Sequence, residues 1–200
     1  MAMIRLGITG GIGSGKSVVC RLLAMLDVPV YDSDSRAKWL MNNSPVLRER
    51  LQECFGNDIF SEGGLQRKVL AERVFSDREA LAALDAIVHP AVAEDFQAWA
   101  AEREAEGFEV VGLESAILFS SGFDRFVDRC VAVVAPDELR VARAAQRDRA
   151  SEEQVRARIA SQMAQSEVAE RADYVVVNDE QSMLWPQVLR LIEELKNVEL

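Results

Sequence analysis

Two hundred residues make one domain, or one domain with a modest insertion, and exclude an extended array of domains. With 49% apolar and 28% charged residues the chain has the balance of a soluble globular protein, and no stretch nears the ~20 apolar residues of a membrane-spanning helix. A formal charge of −10 argues against a nucleic-acid partner, which needs a basic face, but leaves room for a small anion held by a few cations and backbone amides.

The segment Met1 to Ile8 is too short for the apolar region of a signal peptide and carries no cleavage site, so a cytoplasmic protein is expected. Ile4 to Thr9 is a run of β-formers, followed by Gly10, Gly11, Gly13 and Gly15 and then by Val18, Val19, Leu22, Leu23 and Leu26 at helical spacing. The order strand, loop, helix is the setting in which G-x-x-x-x-G-K-S/T carries meaning, and Gly10 to Ser17 fits that motif in full. A glycine-rich turn with a surface lysine would account for single glycines but not for the whole spacing. The expected cradle is made of Gly11, Gly13, Ser14, Gly15, Lys16, Ser17 and Val18, whose backbone N–H groups turn toward a phosphate at the positive end of the helix. Lys16 is expected to bridge the β- and γ-phosphates of ATP, and the Ser17 hydroxyl to ligate Mg²⁺.

A second short strand, Val28 to Tyr31, runs into Asp32-Ser33-Asp34, at the carboxyl edge where open α/β sheets bind ligands. A carboxylate there can accept the proton of an attacking hydroxyl and order the waters of Mg²⁺. Asp32, nearer the strand, is the candidate base and metal neighbour. For Asp34 a helix amino-terminal cap and a role toward the acceptor stand equally open.

Residues 36–106 read as mostly helical, with breaks at Asn42-Asn43-Ser44-Pro45, Gly63-Gly64 and His89-Pro90 and a capping box over Ser76-Asp77-Arg78-Glu79. His89 is the only histidine, and its place before proline suggests a residue that ends a helix and packs in the acceptor-binding part of the chain, near the ligand. Trp39, Trp99 and Trp185 read as core. Strand text returns at Phe108 to Leu113, Cys130 to Ala135 and Tyr174 to Val177, so the alternation implies a parallel sheet covered on both faces.

Between the last two strands lie two arginine-rich helical stretches, Asp137 to Arg149 and Glu152 to Gln165, hinged at the capping box Ser151-Glu152-Glu153-Gln154. Arg140, Arg143 and Arg147 share one helical face. Arg143 and Arg147 are expected to close over ATP as part of a mobile lid; Arg140 and Arg149 read as a solvated face. Few core contacts are expected to hold this lid down.

One histidine and three scattered cysteines, Cys20, Cys54 and Cys130, exclude a zinc cage and a disulfide framework. Val177-Asn178-Asp179-Glu180 lacks the Asn-Lys-x-Asp of a guanine reader, and Glu114 could hold a motor's metal only loosely. A small-molecule kinase fits best. Other possibilities are a kinase acting on another nucleoside or small alcohol, and a regulatory protein that holds ATP without an acceptor.

The chain resembles the dephospho-coenzyme A kinase family from end to end. The resemblance is carried by Thr9 to Ser17, Asp32-Ser33-Asp34, Leu65-Gln66-Arg67, His89-Pro90, Gln146-Arg147-Asp148, Gln162, and Ala172-Asp173-Tyr174-Val175 with Asn178. It implies a five-stranded parallel P-loop core (1–35 and 107–200, with a lid at about 137–165) and a helical CoA domain (36–106). It also implies transfer of the ATP γ-phosphate to the ribose 3′-hydroxyl of dephospho-CoA, the last step of coenzyme A synthesis. Asp32 is then the base, Arg143 and Arg147 the lid arginines, and Asn178 borders the adenine. In two places the chain departs from the family pattern: Ser120 stands where a glutamate is usual, and Val168 where a lysine is usual. Glu114 and Arg171 are the residues expected to take over those charges.

Overall fold

The computed structural model describes residues 3–75 and 77–197. In chain order the strands are β1 (Ile4–Thr9), β2 (Val30–Asp32), β3 (Phe60–Ser61), β4 (Gly64–Leu65), β5 (Val110–Glu114), β6 (Arg129–Val134) and β7 (Tyr174–Val177). The helices are α1 (Lys16–Ala24), α2 (Ser33–Asn43), α3 (Pro45–Phe55), α4 (Arg67–Phe75), α5 (Arg78–Ala105), α6 (Asp137–Asp148), α7 (Glu152–Ala160), α8 (Gln165–Arg171) and α9 (Leu184–Asn197). These elements form two compact units, one of residues up to Asp32 with those from Ala100 on, the other Ser33–Trp99.

The first unit is built on a five-stranded sheet in the order β2-β5-β1-β6-β7, every pair parallel. Its central strands are buried along nearly their whole length, as strands covered on both faces must be. Ile4, Leu6 and Ile8 are alternate residues and so share one face of β1, where they join Val19 and Leu23 of α1 and Val188, Leu191 and Leu195 of α9 in one apolar cluster. Each fully buried Leu or Ile contributes about 1.5–3 kcal/mol relative to exposure. Short polar ties pin the strand ends. The Asp173 carboxylate accepts from the Cys130 N–H at 2.7 Å, aligning β7 with β6, and the Gln165 amide both accepts from and donates to the Ala135 backbone, docking α8 at the end of β6.

The second unit has its own core, in which Leu51, Phe55, Ile59, Phe60, Leu65 and Leu70 are joined by Leu84 and Ile87 of α5. Ser44 caps α3 by accepting from the Leu47 N–H, with Pro45 in the first turn, where a missing N–H does least harm. The Gly63-Gly64 break is a hairpin, β3 against β4, rather than a gap between helices. The capping box expected over Ser76-Asp77-Arg78-Glu79 falls partly on Ser76, outside the described residues. The cap that is described is Asp77, whose carboxylate accepts from the Glu79 and Ala80 N–H groups.

The structure differs from the sequence expectation in three places. His89-Pro90 does not break the helix, because α5 runs through both residues. Proline there removes one backbone bond, but Val88, Val92, Ala93 and Phe96 are buried around it, and that packing outweighs the local preference. The stretch Glu152 to Gln165 is not one helix but splits into α7 and α8. Trp39 and Trp185 are not core residues, being 51% and 39% exposed, and the Arg36 guanidinium lies 4.5 Å from the centroid of the Trp39 ring.

Candidate active site

The loop between β1 and α1 closes at the carboxyl edge of the sheet, on its central strand. Gly10, Gly13 and Gly15 have φ of 149°, 74° and 95°, a region that side chains disfavour. Gly15 has a second reason to lack a side chain, since a Cβ there would come within 2.0 Å of Asn178 Nδ2. Lys16 Nζ donates to the Gly10 carbonyl at 2.7 Å, so the ammonium bends back over the loop. Lys16 and Ser17 open α1, at the end of the helix where N–H groups lack an i−4 acceptor and favour an anion, while the Val18 N–H donates to the Gly15 carbonyl at 2.9 Å. This is an anion cradle with a cation at its rim.

Register fixes the acidic edge. Asp32 at the end of β2 pairs with Glu114 at the end of β5, and Glu114 pairs in turn with Ile8 of β1. The two carboxylates therefore sit on adjacent strands, with Asp32 two strands, roughly 10 Å, from the loop's own strand. The Cys20 thiol, one turn beyond Lys16, senses Glu114, Lys16 and Asp32 together; burial first, then Glu114, pushes it up to about 12. Burial likewise pushes the Cys130 thiol up to about 12. Both should therefore stay protonated and inert at pH 8, while Cys54 is exposed. Titration with a chromogenic disulfide is expected to show one fast thiol in the native protein and three after unfolding; two or more fast native thiols would contradict the burial.

Asp34 lies inside the first turn of α2 rather than at its cap position, so it favours the helix through its charge and not as an N-cap. His89 sits within α5, with Nε2 at 3.5 Å from Asp85 Oδ1 one turn earlier, and neither ends a helix nor caps one. Both residues belong to the second unit.

The arginines of α6 fall into three different settings. Arg140, expected on a solvated face, has a side chain only 4% exposed; its Nε donates to the Ile12 carbonyl at 3.1 Å and its Nη1 to Asp137 at 2.8 Å. The reason is geometric: Arg140, Val141 and Ala144 share the buried side of the helix. Arg143 donates to the Asn178 carbonyl at 3.1 Å and to Glu180 at 3.0 Å, close behind the loop, because the Asn178 amide donates to the Ser14 carbonyl at 2.8 Å. Arg147 is 63% exposed, held by Asp148, which also accepts from Arg158. Its hydrogen bond to Asp148 raises the Arg147 pKa and holds the Asp148 carboxyl below the usual range.

Residues 137–165 are also better anchored than the sequence suggests. Val141, Ala144 and Val155 form an apolar cluster with Ile159 that takes in Ile12 from the phosphate loop. Gln162 accepts from the Ile12 N–H at 2.9 Å. No periodicity flags Gln162 or Glu180, whereas the i, i+4 relation of Arg140 to Ala144 could have marked Arg140 as buried.

Beside the loop lies a cavity of about 270 Å³, lined among others by Thr9, Gly11, Phe119, Ser120, Gln162 and Val168. The two positions at which the chain departs from the family pattern thus face the same cavity, and both side chains there are neutral. Arg171 is close behind, its guanidinium 4.4 Å from the Phe119 ring centroid and 3.4 Å from Asp124. Among the described residues no group of three or more His, Cys, Asp or Glu forms a metal cage, and no helix is long and apolar enough to cross a membrane.

Comparison with known proteins agrees with this architecture. The dephospho-CoA kinase family profile matches residues 4–183. A dephospho-CoA kinase of Porphyromonas gingivalis is 47% identical over 195 residues, 97% of this chain and 95% of its own. A crystal structure from Thermus thermophilus superposes with a TM-score of 0.84 at 34% identity over the full length of both chains. The dephospho-CoA kinase of Campylobacter jejuni superposes at 0.68 with 26% identity, covering 96% of each. The chain belongs to the dephospho-CoA kinase family, a family of ATP-using P-loop kinases.

Proposed function

We propose that this protein transfers the γ-phosphate of ATP to the ribose 3′-hydroxyl of dephospho-CoA, releasing ADP and coenzyme A, as a cytoplasmic enzyme. The observation that carries the reading is the meeting, at one edge of one sheet, of the phosphate loop with the carboxylates of Asp32 and Glu114. A bare nucleotide binder needs only the first of these.

Phosphoryl transfer asks the protein chiefly to position and to stabilise charge. Gly11, Gly13, Ser14, Gly15, Lys16, Ser17 and Val18 form the cradle that holds the triphosphate, and the Lys16 ammonium, already at the rim, stabilises charge as it grows on the β–γ bridge and γ oxygens. Asp32 orients the acceptor hydroxyl and takes its proton as the new P–O bond forms. Arg143 and Arg147 act from the lid, exchanging their present acceptors for phosphate oxygens. Asp34 and His89 belong to the acceptor-binding part of the chain, Asn178 to the nucleotide side.

The donor set suits Mg²⁺, which keeps much of its water and binds through one or two protein oxygens plus substrate phosphates. The Ser17 hydroxyl and the Asp32 carboxylate would hold it, and the ion would neutralise charge on the triphosphate.

An ADP-release assay over dephospho-CoA, adenosine, nucleoside monophosphates and shikimate tests the assignment. Strong turnover is expected with dephospho-CoA alone; preference for any other acceptor would overturn it.

A further inference from the structure

The two peptide groups that flank Ile12 are each held by a residue outside the loop. The Ile12 carbonyl accepts from Arg140 and the Ile12 N–H donates to Gln162. One residue pair further on, the Ser14 carbonyl accepts from the Asn178 amide. Every peptide bond here is trans, so the C=O of one residue and the N–H of the next point in opposite directions across one plane. Fixing the Ile12 carbonyl toward α6 therefore directs the Gly13 N–H to the opposite side, and fixing the Ser14 carbonyl toward Asn178 does the same for the Gly15 N–H.

We propose that Arg140 and Asn178 are positioning residues that set the direction of the Gly13 and Gly15 N–H groups toward the phosphates. The inference rests on the reading of Gly10 to Ser17 as the triphosphate cradle. Glycines at both positions leave those peptides free to rotate, and a flipped peptide would turn a carbonyl oxygen toward the anion. External donors on the two carbonyls oppose that rotation before nucleotide arrives.

Packing alone does not account for Arg140. Burying a guanidinium is unfavourable unless its donors are used, and an apolar side chain would fill the same space without that penalty. Its acidic partner, Asp137, is 65% exposed, so the ion pair by itself gives no reason for burial. What arginine adds is a directed donor to a loop carbonyl. The fit is close, since a Cβ on Gly13 would lie 2.2 Å from the Arg140 carbonyl oxygen and one on Gly11 2.2 Å from Arg140 Nη2.

The test is calorimetric binding of ADP to Arg140→Met, which keeps the length of the side chain and removes its donors, and to Arg140→Lys, which restores one. For folded Arg140→Met the Kd for ADP and the KM for ATP are expected to rise about tenfold or more, the scale of one hydrogen bond from a charged donor. The KM for the acceptor should change less than twofold, and Arg140→Lys should recover part of the loss. A merely structural role would lower Tm and leave the ADP affinity of the folded fraction intact, so a Kd within twofold of wild type overturns the proposal. Should Arg140→Met not fold, Asn178→Ala is read by the same criteria with inorganic pyrophosphate as the probe, which has no adenine for Asn178 to contact. Failure of wild type to bind ADP at all would instead overturn the cradle reading on which the proposal stands.

Discussion

Asp32→Asn is expected to lower kcat by about 10²–10⁴-fold, the usual worth of a positioned general base, with little change in ATP affinity. A ribose hydroxyl is a poor nucleophile at neutral pH, so the group that takes its proton controls the chemical step. Asparagine keeps the size of the side chain and much of its hydrogen bonding but cannot accept that proton. The structure sharpens the contrast with a purely structural role. Asp32 is the last residue of β2 and immediately precedes α2, which begins at Ser33, so it stands where a capping residue would stand. Asparagine and aspartate cap about equally well, so a cap would survive the change. ATP affinity should change little because the triphosphate rests mainly on the loop amides and Lys16, and β1, which leads into the loop, lies two strands from β2. Steady-state kinetics with both substrates varied, together with Tm, check this: unchanged kcat in a folded variant refutes the base.

Lys16→Ala is expected to remove about 3–4 kcal/mol of transition-state stabilisation, by analogy with the loss of a directed electrostatic donor in other active sites. The ammonium already lies at the loop, bonded to the Gly10 carbonyl, so little reorganisation is needed to bring it onto phosphate oxygens. Its removal costs more than ground-state binding, because charge on the bridge and γ oxygens grows as the bond breaks. kcat should therefore fall alongside any rise in the KM for ATP. Loss confined to KM would make Lys16 a binding group only, and near-normal turnover would mean that the loop is not the catalytic cradle.

The parts of this molecule legible in the sequence are those in which local chemistry and tertiary structure agree. Strand, glycine loop and helix over Ile4 to Ala24 follow from β-formers, turn glycines and helical spacing, and the strands of the sheet are legible as short apolar runs, the three central ones because they are buried on both faces. The capping box at Ser151 to Gln154 forms as its residues imply. What the sequence hid was decided by packing at a distance. Pro90 ends a helix by its own preference, yet α5 continues through it, with Val88, Val92, Ala93 and Phe96 buried on either side of the proline. The β3–β4 hairpin has two-residue strands, too short for any alternation to show. Trp39 gives no local sign of its exposure.

At the site the same division holds. Lys16, Asp32 and Asn178 were marked by motif or strand end, and the structure brings the phosphate loop, Asn178 and Arg143 into one bonded group. Arg140 is buried although its charge suggests solvent. Only the three-dimensional course of the loop shows a carbonyl waiting at the buried face of α6.

The central claim is that the γ-phosphate of ATP arrives on one particular oxygen. The most direct test incubates the protein with ATP, Mg²⁺ and dephospho-CoA and identifies the product by phosphorus–proton correlation NMR. A new phosphomonoester coupled to the ribose H3′, formed in step with ADP and absent with the Asp32→Asn variant on the same timescale, is the result expected. ADP formed without that ester, or an ester on any other hydroxyl, would contradict the account.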